Sequence, residues 1–144
     1  MLGGWEVSGI TRFQSGANLS VTGNTSIGGR RADYIGGSVL LPDGERGPNA
    51  WLNVAAFDEA PDTRRGNAGI GIVSGPGLQV WDISLRRRFS FTENMNLQFQ
   101  ADLFNAFNRA NFLNLSLNTS NADFGSITSS APGRNVQFGL KLTF

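Results

Sequence analysis

Few residue types that carry chemistry are present. The chain of 144 residues has no histidine and no cysteine. The usual general base and the imidazole and thiolate metal ligands are therefore missing. What remains is arginine, carboxylate and glycine. The run Arg86-Arg87-Arg88 has the chemistry to grip a phosphate or a lipid headgroup, although charge runs are more often simply solvated. On a strand, Arg86 and Arg88 share one face and Arg87 takes the other, where a long side chain can snorkel to an interface. Asp58, Glu59 and Asp62 offer oxygen ligands of the kind calcium uses. Their spacing lacks the D-x-[DN]-x-[DN]-G pattern, so a solvated loop is the better reading. The glycine-rich stretch from Gly66 to Gly77 has neither a lysine-serine ending nor a helix pattern after it, and is not a phosphate cradle. Asn-x-Ser/Thr at Asn18, Asn24, Asn114 and Asn118 reads as loop polarity. No catalytic, cofactor-binding or metal residue is assigned, and no enzyme is expected.

Composition narrows the class further. Net charge is +1 and charged residues make up 16%, which is low for a soluble domain. No basic stripe with spaced aromatics suits nucleic acid, so none is expected as a partner. No run of about 18 apolar residues exists, so no helix of this sequence is long and greasy enough to cross a bilayer. The opening Met-Leu-Gly-Gly-Trp-Glu has no basic n-region and no apolar core of a signal peptide.

The elements that would position these residues are strands. In Arg134–Phe144, the residues Val136, Phe138, Leu140, Leu142 and Phe144 are apolar, and those between them are small or polar. A period of two over this length gives a strand with one greasy and one wet face, long enough to cross a bilayer when tilted. Three more segments alternate. Residues 5–14 place Trp5, Val7, Gly9, Thr11 and Phe13 on one face. Residues 79–89 set Trp81, Ile83 and Leu85 against Asp82, Ser84, Arg86 and Arg88. Residues 95–107 set Leu97, Phe99, Ala101 and Leu103 against Asn96, Gln98, Gln100 and Asp102. A helical stripe through Phe99, Leu103, Ala106, Phe107 and Ala110 competes there, but it leaves Leu97 and Ala101 off the stripe and has no cap.

The expected fold is therefore all-β: a four-strand antiparallel segment of an outer-membrane β-barrel. Its connections run long (15–78), short (89–94) and medium (108–133), as in barrels with long outer loops and short periplasmic turns. Segment 15–78 is expected to lack structure, a length abnormal inside a compact soluble domain. Trp81, Ile83, Leu85, Leu97, Phe99 and Leu103 would then face lipid. Val136, Phe138, Leu140, Leu142 and Phe144 would form a strand-addition signal for the barrel-assembly machinery. Phe89, Phe91 and Phe144 would contribute to an aromatic girdle. The competing architecture is a soluble secreted β-sandwich, an adhesin or glycan-binding module with Trp5, Trp51 and Trp81 as sugar platforms. It is disfavoured because sandwiches turn every 8–12 residues or so.

Several strings carry a family resemblance. Gly4-Trp5-Glu-Val-Ser-Gly-Ile-Thr-Arg-Phe-Gln-Ser-Gly16, Pro48-Asn-Ala-Trp-Leu-Asn-Val-Ala-Ala-Phe57 and Val80-Trp-Asp-Ile-Ser-Leu85 look like parts of TonB-dependent receptors. So do Gln100-Ala-Asp-Leu-Phe-Asn-Ala-Phe-Asn-Arg-Ala-Asn-Phe112 and Phe124-Gly-Ser-Ile-Thr. The Oar-like branch, with its N-terminal carboxypeptidase-regulatory-like domain, is the most similar. Such receptors close a barrel of about 22 strands around a plug. The resemblance implies a C-terminal barrel piece in the bacterial outer membrane. Its implied partners are outer-membrane lipid, the remaining barrel and plug, and TonB through a missing N-terminal part.

Overall fold

A computed structural model describes residues 4–24 and 30–144. The opening Met1–Gly3 and part of the Asn24 motif lie outside the described residues. The described residues form ten strands: β1 Trp5–Gln14, β2 Asn18–Leu19, β3 Asp33–Tyr34, β4 Phe57–Asp58, β5 Val73–Ser74, β6 Leu78–Ser90, β7 Asn96–Phe104, β8 Phe112–Leu115, β9 Ile127–Ser130 and β10 Asn135–Thr143. One 3-10 turn, Val54–Ala56, is the single helical element among the described residues. The contacts divide the chain into two compact units.

The first unit is a four-stranded sheet, in the order β1-β6-β7-β10, antiparallel throughout. Directly paired residues share a face, so the register shows whether the four alternations agree. Gly9, Ile83, Leu103 and Val136 form one cross-strand row. Val7, Leu85, Ala101 and Phe138 form the next, and Trp5, Arg87, Phe99 and Leu140 the third. A slip of one residue in any pair would turn that strand over, and none occurs. The opposite face carries rows such as Glu6-Arg86-Gln100-Gly139 and Ser8-Ser84-Asp102-Gln137.

The hairpin β6–β7 closes with a short turn in which the Phe91 amide donates to the Met95 carbonyl at 2.9 Å. At the other end β7 stops at Phe104, short of the expected 107. Asn105 and Asn108 adopt left-handed φ values of 49° and 50°, a conformation asparagine tolerates better than most residues. Asn105 then locks the turn. Its backbone amide donates to the Asp82 carboxylate at 2.9 Å, its side-chain amide donates to the Arg109 carbonyl at 3.0 Å, and its Oδ1 accepts the Arg109 amide at 3.0 Å.

The second unit comprises 15–77 and 112–131, and it corrects the expectation of a structureless loop. Its β-pairs are very short: β2 with β5, β3 with β4, and β8 with β9. Its core holds Val21, Ala32, Leu52, Ala56, Phe57, Ala68 and Val73, each no more than 6% exposed, with Tyr34, Trp51 and Phe124 packed on it. Buried Asp33 receives both arms of the Arg64 guanidinium at 2.8 and 2.5 Å, and the Asn67 amide at 3.0 Å. Arg64 holds that carboxyl below the usual carboxylate range. The Arg31 guanidinium donates to the Ala68 carbonyl. Two glycines permit close backbone approach. A Cβ on Gly66 would lie 2.0 Å from the Arg31 carbonyl oxygen, and one on Gly16 would lie 1.8 Å from that of Gly75.

Candidate functional site

The functional surface is the sheet of the first unit, and its chemistry follows from the difference between its faces. Trp81, Ile83, Leu85, Leu97, Phe99 and Leu103 all project from one face, together with Val136, Phe138, Leu140 and Leu142 of β10. β1 adds Trp5, Val7 and Phe13 to it. Along β10 the apolar residues stand open: Phe138 is 73% exposed and Leu140 72%. Phe144 lies just past β10 and is 93% exposed. A continuous apolar face of this extent, uncovered by other residues of its unit, demands a non-aqueous neighbour.

Aromatic rings gather at both ends of the apolar face. At the end carrying the long connections, the Trp81 ring meets Phe13 at 5.2 Å and Phe107 at 5.3 Å, both edge-to-face. Toward the short turn, Trp5 meets Phe99 at 6.5 Å, and Phe99 stacks on Phe138 at 6.2 Å. Phe89 belongs to this second group, while Phe91 follows the strand and is 60% exposed. Sequence reasoning named Trp81, Phe89 and Phe99. It did not assign Trp5, Phe13 and Phe107 to these ring clusters, because cross-strand register and the Asn105 turn create the contacts.

The arginine run divides as a strand requires. Arg86 and Arg88 lie on the polar face, and Arg87 lies on the apolar one. The Arg86 guanidinium reaches Glu6, its register partner, at 4.0 Å. Arg87 instead sits over the rings of Trp5, at 5.0 Å, and Phe89, at 4.6 Å. Part of the polar face is hydrogen-bonded within itself. Ser84 donates to the Asp102 carboxylate at 2.6 Å, and Gln100 donates to its other oxygen at 2.7 Å.

The acidic trio does not form a metal site. Asp58 accepts the Glu59 amide at 2.8 Å, and Glu59 accepts the Ser120 hydroxyl. Among the described residues no three acidic, histidine or cysteine side chains converge as ligands. The Gly66–Gly77 stretch contributes Ala68 and Val73 to the second unit's core, not a ligand loop. Trp51, a sugar platform in the sandwich reading, is tied into that unit by Phe112 at 6.2 Å and by its indole N–H to the Ser74 carbonyl at 3.3 Å.

Among the described residues no strand pairs with the outer edge of β1 or of β10, so the sheet is an open arc and not a closed barrel. Comparison with curated proteins and with solved structures returns no match. The family described as an outer membrane beta barrel domain matches residues 1–137, nearly the whole chain. An all-antiparallel sheet with one apolar face, aromatic clusters at both ends and two open edges is what one arc of such a wall looks like, and the chain belongs to this outer-membrane β-barrel family.

Proposed function

We propose that the chain forms part of the barrel wall of a TonB-dependent receptor of the Oar-like kind, an active transporter that imports a scarce nutrient or exports a protein. The observation that carries this reading is the open arc. Four strands have two unpaired edges, and even small bacterial barrels need about eight strands. The neighbours on both sides are further strands of a larger barrel. The second unit supports the receptor reading: a long connection that folds around its own core is suited to present a fixed surface to solute. The strings at Gly4–Gly16, Pro48–Phe57 and Gln100–Phe112 point the same way.

In this reading the apolar face meets outer-membrane lipid. From Trp81 to Phe89 the strand advances about 26 Å, roughly 20 Å along the normal at a tilt of 40–45°. The ring clusters therefore bracket most of an apolar band about 25 Å tall. The polar face lines the interior, against water or a plug. The short β6–β7 turn lies on the periplasmic side, and the long connections lie outside. Val136, Phe138, Leu140, Leu142 and Phe144 give the barrel-assembly machinery a strand with a free edge to pair with. TonB acts only through the receptor's N-terminal part.

The test is an immunoblot of outer-membrane fractions with antibody raised against residues 15–77. Scaling 15.5 kDa for four strands to about 22 strands gives roughly 85 kDa. With the plug and N-terminal domain added to that barrel, a heat-modifiable band above that mass is expected. A band only at the mass of this chain, or in the soluble fraction, removes the receptor reading.

A further inference from the structure

Among the described residues, Arg87 is the single ionisable one on the apolar face of the sheet. Every other residue there is apolar or small, apart from Thr11 and Gln79. Arg86, its neighbour, has Glu6 opposite. Arg87 has no hydrogen bond or ion pair to another described residue. Its contacts are two rings, Trp5 across the ladder at 5.0 Å and Phe89 at 4.6 Å, two positions nearer the turn. Contact with Phe89 tilts the guanidinium toward the short-turn end, away from Leu85. Ring faces attract the cation without using its five in-plane N–H donors. A charged, pre-oriented fork is left at the margin of an apolar surface, with no described residue to donate to.

We propose that Arg87, held between Trp5 and Phe89, docks the phosphate of a bilayer phospholipid at the short-turn end of the sheet. The proposal rests on the reading above, that this face meets the bilayer and this end the periplasmic leaflet. Depth agrees with it. Arg87 lies three residues from the end of β6 at Ser90, about 7 Å below the rim at a tilt near 45°, and the side chain leans upward from there. Arginine matches phosphate with two parallel donors, which lysine cannot do. No carboxylate among the described residues of this face competes for it.

The test uses the whole barrel that contains this chain, with every tryptophan outside the chain replaced by phenylalanine, folded into vesicles of digalactosyl diacylglycerol, a phosphate-free lipid. Trp51→Phe with Trp81→Phe leaves Trp5 as the reporter beside Arg87. Quenching is measured with dibrominated phosphatidylglycerol and with dibrominated host lipid. The expected preference for phosphatidylglycerol is roughly fivefold, the factor for one interfacial arginine. Arg87→Gln removes it, Arg87→Lys reduces it, and Arg88→Gln on the other face leaves it unchanged. Millimolar inorganic phosphate does not compete. Equal quenching by both lipids, or a preference that survives Arg87→Gln, overturns the proposal. A companion chain with Trp81 as sole tryptophan separates the two failures. If neither brominated lipid quenches Trp81, the bilayer reading itself falls and takes the proposal with it. If Trp81 is quenched and Trp5 shows no preference, only the phosphate site is lost.

Discussion

Leu85→Arg tests the two-faced sheet at the place where it is most sensitive. Leu85 lies midway along β6 between the ring clusters, four residues from Trp81 and four from Phe89, and pairs with Val7 and Ala101 on the apolar face. If that face meets hydrocarbon, an arginine at mid-depth costs about 2–4 kcal/mol. At ~3 kcal/mol the folding equilibrium falls by about 140-fold. Ser84→Arg, one residue away, turns the same guanidinium to the polar face. It loses the 2.6 Å hydrogen bond to Asp102 but sets a cation beside that carboxylate, so the net change stays within about 1 kcal/mol. Phe89→Arg, near the rim, gives an intermediate cost of about 0–1 kcal/mol for the charge plus the lost ring contacts. The assay is guanidinium titration of the whole barrel that contains this chain, folded in vesicles and followed by tryptophan fluorescence. Equal losses from Leu85→Arg and Ser84→Arg would refute the assignment of faces.

Three further outcomes follow from the geometry. Gly66→Ala forces a Cβ to 2.0 Å from the Arg31 carbonyl oxygen and 2.4 Å from that of Ala32. It should destabilise the second unit by about 1–3 kcal/mol, read as faster proteolysis within 15–77, while a sheet glycine with room, Gly139, accepts alanine. Asp33 titrates below its unfolded value of about 3.9 because Arg64 pairs with it. Its contribution is therefore in place above that value and is lost as pH falls through the lower folded value. Exchange protection of the Asn67 amide should drop on acidification from pH 6 to 3, and Asp33→Asn should flatten that profile; an unchanged profile in the variant argues against the pair. Asn105→Ala removes the left-handed residue and its bonds to Arg109, so it should cost about 1–3 kcal/mol. Asn105→Gly, which keeps the conformation, should recover part of it in the same denaturant titration.

The sheet was legible in the sequence because its information is local. β10 alternates without a fault, and the side of each residue follows from counting by twos. β1 was harder to read: Ile10 sits on the polar face and Thr11 on the apolar one, and only pairing with Asp82 and Trp81 fixes them. The seat of Arg87 was invisible for the same reason. Its chemistry depends on Trp5, distant in sequence and adjacent only through register. The end of β7 was misplaced because the apolar Phe104 and Phe107 were read as strand although the alternation breaks at Phe104, and Asn105 and Asn108 had to be seen as a pair of left-handed turn residues. The second unit was missed altogether. Its ladders are two to four residues long, too short for any period to show. Its core draws Val21, Ala32, Leu52 and Val73 from irregular positions among glycines, so glycine and polar content dominated the reading of 15–77.

The central claim is that the apolar face of β10 and its neighbours meets lipid while the alternate residues do not. The chain has no cysteine, so single cysteines can be introduced from Asn135 to Thr143 and spin-labelled one at a time in the whole barrel, made free of other cysteines and folded in vesicles. Collision with oxygen, which concentrates in lipid, and with a water-soluble nickel chelate should alternate with a period of two. Positions 136, 138, 140 and 142 should favour oxygen, and 137, 139 and 141 should favour nickel. A flat profile, or nickel preferred at Phe138 and Leu140, would contradict the account.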